Sequence, residues 1–312
     1  MKAGVFILDF YGKKEQDSKG AGYINSMHGG RYPMKRSIIQ VLVCFIFILL
    51  IADTASAKSP ERIISLAPSI TEILFAAGLG DKIVGVTTFC DHPEEAKQKP
   101  KIGGMSNPSL EEVVLLKPDI VIMTTDGNPK EFEQKLHSLG IRTYVFESLT
   151  IPELPQGLKK MGEALEEDER FNSLATKIDE TLNAVRSQGS ASGKKILFIV
   201  WPEPLIVAGR QTAVDDAIGL LGGINIGAIG QGRYPKYSIE EIFHRSPDII
   251  FIGKGMVEEG DKNMRELSKG LLERIAHVSA VKKGKVFFVG DGLYRLGPRV
   301  VDGIQELAGY LK

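Results

Sequence analysis

The chain is 312 residues long, 43% hydrophobic and 25% charged, which suffices for two modest apolar cores. Its 39 Lys and Arg balance 39 Asp and Glu, so there is no basic surplus to attract nucleic acid. Two cysteines, Cys44 and Cys90, do not make a disulfide framework.

From Met34 the sequence has the layout of a secretory signal. Lys35 and Arg36 are positive, Ile38 to Ile51 form a mostly apolar stretch, and Ala55-Ser56-Ala57 supplies a small-residue cleavage site. Those fourteen apolar-stretch residues would span about 21 Å as a helix, short of the roughly 30 Å hydrocarbon core, which favours a cleaved signal over a retained anchor. Cys44 follows Val43 inside the stretch, the wrong setting for a lipoprotein signal. Residues 1–33 stand ahead of it, longer than an ordinary n-region, either from a start site placed too far upstream or as a true extension. Cleavage after Ala57 removes seven basic and four acidic residues, leaving 32 basic and 35 acidic and a formal charge of −3. Cys90 is then the lone cysteine of an exported chain, either buried or a reactive thiol, with burial favoured.

Residues 62–66 predict a first strand, followed by Ala67-Pro68-Ser69 and a helix ending at Gly78. Ser69-Ile70-Thr71-Glu72 has the S-x-x-E form of a capping box. Ile83 to Val86 is a short strand with the loop 87–93 beyond it. A second loop, 103–108, leads into SLEEVVLLKPDIVIM at 109–123. Helix 129–139 and strand 141–146 close this first lobe, 58–150.

The segment 109–123 recurs as SIEEIFHRSPDIIFI at 238–252, offset by 129 with six identities in fifteen. Each copy reads as a helix and then a buried strand. Ser109 and Ser238 are N-caps, and Glu112 and Glu241 complete capping boxes. Pro-Asp stops the helix, and the unbroken apolar run suits a parallel strand covered on both faces. Between the copies, 151–189 carries two helical stripes, the longer running from Phe171 to Val185, which predict a rigid span over about 167–187. The second lobe, 190–312, restarts with strand 195–200 and Trp201-Pro202-Glu203-Pro204. A helix from Ala213, the polar loop 230–237, the second repeat copy, strand 286–289 and a terminal helix follow. The predicted architecture is α/β: two similar Rossmann-like lobes with parallel-sheet cores, joined by a long backbone helix, with a ligand cleft between them.

Ligands sit beyond the carboxyl ends of parallel strands. That rule selects the loops around Pro68, Phe89, Gly104, Thr125, Trp201, Tyr234 and 291–295. These loops carry no G-x-S-x-G, H-E-x-x-H or G-x-x-x-x-G-K-[ST], so nothing asks for an enzyme. His92, beside Asp91, is the histidine placed to reach a bound metal; His137, His244 and His277 fall in helical stretches. Phe89, Trp201, Tyr234 and Tyr294 suit a large, flat, partly apolar ligand, unless Trp201 packs on its own lobe. Arg233, Arg295 and Arg299 are available for carboxylates; Arg299 sits at a helix start, where the dipole disfavours a cation and a partner is implied. Glu111 and Glu240 lie at the second helical position of the two repeat copies. Each alone reads as helix-dipole complementarity; together they suggest two-point docking on a symmetric partner.

RIISLAPSITEILFAAG, TFCDHPEEAK, IGGMSNPSLEEVVLLKPDIVI and GDGLYRLGPR resemble the substrate-binding proteins of vitamin B12, haem and iron-siderophore ABC importers, over essentially all of 60–312. The resemblance implies a monomeric periplasmic protein that holds its ligand as cargo, not cofactor, and delivers it to a dimeric ABC permease with ATPase subunits. It implies that Glu111 and Glu240 engage permease arginines. It also implies that Phe89 touches the ligand, with Asp291 and Arg295 as polar residues of the same cleft. The expected ligand-binding set is Phe89, Asp91, Gly104, Trp201, Tyr234, Asp291, Tyr294 and Arg295. Family tryptophans are missing near Gly103 and Thr124, and Pro235-Lys236 replaces another. These departures bear on which ligand is held and not on the class: a corrinoid is the first expectation, with haem or a ferric siderophore behind it. A secreted metal-ligand enzyme and a scavenging module without a transporter are the readings from other classes.

Overall fold

The computed structural model describes residues 59–186, 191–254 and 264–311. The expected secretory signal over 34–57, the expected cleavage after Ala57, and Cys44 lie outside them. The first lobe is built from β1 (Ile63–Ser65), α1 (Pro68–Ala76), β2 (Ile83–Val86), α2 (Glu94–Lys97), α3 (Leu110–Leu115), β3 (Ile120–Thr124), α4 (Lys130–Ser138) and β4 (Thr143–Phe146). Helices α5 (Leu154–Leu165) and α6 (Asp168–Arg186) link it to the second lobe. That lobe begins with β5 (Lys195–Pro202), β6 (Leu205–Val207), α7 (Ala213–Leu220), β7 (Ile224–Asn225), α8 (Ile239–Arg245) and β8 (Ile249–Gly253). It continues with α9 (Met264–Leu267), α10 (Lys269–Arg274), α11 (Ser279–Lys282), β9 (Val286–Val289) and α12 (Val300–Leu311). The first sheet, ordered β2-β1-β3-β4, is wholly parallel. The second, ordered β6-β5-β8-β9, is parallel except for β6, which folds back on the end of β5, while β7 pairs with its start.

The repeat explains why the lobes match. In β3, Ile120 and Ile122 face one apolar cluster while Val121 and Met123 face another; in β8, Ile249 and Phe251 face the first cluster and Ile250 and Ile252 a third. Alternation at period two thus fills both faces of each sheet. Lys117 and Ser246, one repeat apart, adopt the left-handed conformation, with φ of 45° and 50°. Each precedes a proline, whose ring disfavours right-handed helix there, so the chain turns sharply and doubles back into the strand. The next residue then pins the sheet. The carboxylate of Asp119 accepts from the Glu61 and Arg62 amides at 2.8 and 2.9 Å, and Asp248 accepts from Lys195 at 2.8 Å.

The caps differ between copies. Ser238 Oγ accepts from Glu241 N, and Glu241 Oε2 accepts from Ser238 N at 2.9 Å, a complete capping box. Ser109 Oγ accepts from Glu112 N at 3.3 Å, but the Ser109 amide already donates to Ile102 O, so Glu112 has no backbone donor to take. Glu241→Ala should therefore cost about 0.5–1 kcal/mol in urea unfolding, and Glu112→Ala only about a few tenths. The box expected at Ser69–Glu72 does not form. Pro68 occupies the first helical turn, its fixed φ starting the helix early, so Ala67 is the N-cap and Glu72 is free to turn elsewhere.

The 19-residue helix α6 is about 28 Å long. Its buried face, Phe171, Ala175, Ile178, Leu182 and Val185, joins a cluster that also contains Ile122 and Phe146 of the first sheet and Phe198 and Phe251 of the second. Each large side chain buried in this seam contributes about 1.5–3 kcal/mol. Parting the lobes along α6 would forfeit several of these at once, so the seam is the fixed side of the molecule.

Candidate ligand cleft and docking face

A cleft lies where the carboxyl ends of the two sheets face each other. The first lobe supplies Pro68 and Ser69 after β1, Met105 from the loop before α3, Thr124 and Asp126 at the end of β3, and Phe146, Ser148 and Leu149 at the end of β4. The second supplies Ala213, Arg233, Tyr234 and Leu293 to Leu296. Met105 and Tyr234 are one repeat offset, 129 residues, apart, so the duplicated loops meet from opposite sides. The enclosed space is about 60 Å³. Ligand pockets run to roughly 300–1,000 Å³, so a large ligand enters only if the mouth parts.

What spans the mouth is weak. Arg233 Nη1 meets Asp126 Oδ1 at 2.8 Å, with the two side chains 22% and 44% exposed. Arg233 also donates to Gln211 O at 2.8 Å and lies over the Tyr234 ring. A partly exposed pair of this kind is worth about 0.2–1 kcal/mol, far less than the α6 seam, so among these contacts the mouth is the easier one to part.

Deeper in, the lobes are clasped by charge. Arg295, 3% exposed, pairs with Glu72 at 3.1 Å, with Asp291 at 3.0 Å and with Asp91. Arg299 reaches Glu72 through two nitrogens, at 2.7 and 2.9 Å, and Asp291 at 3.0 Å. Three carboxylates from two lobes thus hold two guanidinium groups. Glu72 is the partner implied for Arg299. Burial pushes the Asp91 carboxyl up, but the hydrogen bond and charge of Arg295 outweigh it, and its pKa lies below the ordinary range. Arg295 Nε is buried without a partner.

The residues expected to bind ligand fall into three groups. Tyr234, Tyr294 and Arg295 line the cleft. Tyr294 packs edge-on against Phe198, and its hydroxyl is buried without a partner against Gly253, where any Cβ would overlap it. Burial drives that phenol's pKa far up. Asp91 and Asp291 belong to the ionic clasp. Phe89, half-buried, packs near Gly104, where a Cβ would meet the end of the Asn107 side chain at 2.4 Å. Trp201 is 37% exposed at the end of β5, and its indole N–H donates to Glu203 O at 2.7 Å; it lies apart from the cleft lining. His92 is exposed in a groove on the far side of Glu72. Cys90 is buried, with Thr71 and Thr87 hydroxyls at 3.1 Å, and burial raises its thiol.

Sequence reasoning missed Asn128, Asp126 and Arg233's role at the mouth. The Asn128 side chain accepts from Thr124 N and donates to Leu66 O and Met105 O, tying three strand-end loops together. Its position after Gly127 in a strand-end loop was the available signal.

Glu111 and Glu240 are both exposed. Each follows a cleft loop, and residues 116–119 and 246–248 turn the helices back along β3 and β8, so both carboxylates sit at the cleft end of their lobes. The Glu240 carboxyl is held below its usual range by its own backbone amide and by Ser238.

Residues 63–292 match the periplasmic binding protein family. The chain belongs to that family. It is 30% identical to the vitamin B12-binding protein of Vibrio cholerae serotype O1 over 278 residues, 88% of this chain and 98% of the relative. The crystal structure of a periplasmic vitamin B12-binding protein of Vibrio cholerae superposes with a TM-score of 0.70 at 29% identity, covering 81% of this chain and 97% of that one. A periplasmic haem-binding protein from Roseiflexus sp. RS-1 superposes with a TM-score of 0.72 at 28% identity, covering 80% and 97%. A periplasmic haem-binding protein from Pseudomonas aeruginosa gives 0.71 at 26%, covering 81% and 92%. The two-lobe α/β architecture expected from the repeat is the fold of these binding proteins. Among the described residues, no helix is long and apolar enough to cross a membrane, and no group of three His, Cys, Asp or Glu is placed to hold a metal ion.

Proposed function

We propose that the chain captures a corrinoid of the vitamin B12 class outside the cytoplasm and delivers it to a dimeric ABC permease with its ATPase subunits. It acts as a monomer, without turnover and without a resident cofactor. The observation that carries the ligand class is the likeness to a vitamin B12-binding protein along almost its whole length, together with a cleft whose lining interleaves aromatic and apolar side chains with hydroxyl and charged ones. Asp126, Ser148 and Arg233 offer hydrogen-bond partners for the amide rim of such a ligand, and Tyr234, Met105 and Leu296 a surface for its flat ring.

Haem is the second reading, supported by the haem-binding structural relatives. A haem iron takes an axial His, Cys, Met or Tyr. No histidine or cysteine is among the cleft's lining residues, which leaves Met105 and the two phenols Tyr234 and Tyr294, both pushed up by burial. A corrinoid brings its own axial ligands and asks the protein for none. Calorimetric titration of the purified mature chain should show one cyanocobalamin bound per chain, more tightly than haemin or a ferric siderophore. Tighter haemin binding, with the visible band of a ligated iron, would replace the corrinoid by haem.

A further inference from the structure

The helices that carry Glu111 and Glu240 have a second feature in common. In α3 the inward residue Val113 is fully buried, and in α8 so is Ile242. On the outward faces Val114 is 44% exposed and Phe243 42%, separated by the repeat offset of 129. Each lies three residues after its glutamate, which sets the two side chains beside each other on the helix surface. Leu115, 70% exposed, enlarges the apolar patch on the first lobe. Scattered exposed apolar residues are ordinary. Here the exposure is duplicated, on the same helical turn as a duplicated exposed carboxylate, at the cleft end of both lobes. The following outer positions have diverged to Leu115 and His244, so the match is not a general likeness of the two faces.

We propose that Val114 and Phe243 are apolar anchors of a two-site docking surface. Its partner is a membrane permease with twofold symmetry that presents, at each site, an apolar side chain next to a basic one. This rests on the permease-docking reading above and assigns the surface that reading leaves open. The chemistry divides the work. Exposed carboxylates steer and orient, and their contribution is screened by salt. Apolar side chains that become buried on contact slow dissociation and are insensitive to salt screening. Phe243 and Val114 differ in size, so a symmetric partner meets one deep and one shallow anchor at two equivalent half-sites.

The test is binding of the full mature chain to the purified vitamin B12 permease–ATPase complex of the same organism, at low and high salt. Val114→Ser plus Phe243→Ser should weaken the complex by roughly tenfold or more at both salt levels. Glu111→Gln plus Glu240→Gln should weaken it at low salt and much less at high salt. Cyanocobalamin affinity should be unchanged in both variants, since neither pair lines the cleft, and thermal unfolding should shift little, the glutamine pair losing only its helix-start charge. Wild-type binding by the serine pair, with the glutamine pair weakened, would overturn the anchors while leaving docking in place. Wild-type binding by both pairs would remove the docking reading itself.

Discussion

Arg295→Met is expected to destabilise the folded chain by about 3–5 kcal/mol, more than any other single change considered. The variant keeps most of the side chain's volume but leaves Glu72, Asp91 and Asp291 to share one guanidinium. Glu72 is 3% exposed and cannot recover the lost interaction from water. For a domain of this size such a loss corresponds to roughly 10 °C in melting temperature. If Arg295 served the ligand first, cyanocobalamin affinity would fall while the melting temperature held, and the clasp would lose its assigned role.

The pH dependence separates the two proteins further. In the wild type, Asp91 has a folded-state pKa below its unfolded value, so its stabilisation is present above the unfolded pKa and is lost as pH falls through the folded one. Wild-type stability should therefore decline below about pH 4. In Arg295→Met the surplus is negative, and protonating one carboxylate relieves it. Mild acid should stabilise the variant over the range where it does nothing for, or weakens, the wild type. Parallel melting curves from neutral to acid pH would reject the charge-clasp account.

The clasp also shows where local reading of the sequence stops. Ser69-x-x-Glu72 satisfies the spacing of a capping box, and Glu72's true partners lie 223 and 227 residues away. No periodicity or turn signal carries that distance. By contrast, the repeat features read from the sequence are local: Ser238 with Glu241, the Pro-Asp stop after the helix, the apolar run at Ile249 to Ile252. These were legible because three or four consecutive residues fix each one. Strand β6 was not, because three residues after Pro204 have no period to display, and only pairing with β5 makes them a strand. The rule placing ligands beyond strand carboxyl ends picked the loops that line the cleft at Pro68, Tyr234 and Leu293 to Arg295. Which side chain points inward depends on loop geometry, and so Trp201, bound to its own Glu203, stands apart while Arg233 and Asp126 close the mouth.

Glu111→Arg plus Glu240→Arg is expected to abolish uptake of labelled cyanocobalamin while leaving its binding unchanged and lowering the melting temperature only slightly. Both carboxylates are exposed at the cleft end of their lobes, one per repeat copy, and neither has a role in the clasp or the cleft. Losing either attraction alone removes about 0.2–1 kcal/mol, which uptake can tolerate. Reversal does more, because a guanidinium facing a basic patch is repelled by several kcal/mol across a contact that excludes water. Two sites on one rigid body act through effective concentration, so each single reversal leaves the other site to tether the protein, and the pair leaves neither. The singles should accordingly transport at a reduced rate and the double at background. Helix-dipole complementarity alone gives a different pattern: arginine at the second position of α3 and α8 would lower stability slightly and leave transport intact. Normal uptake by the double variant, with a small loss of melting temperature, would establish that pattern and strip both glutamates of a partner.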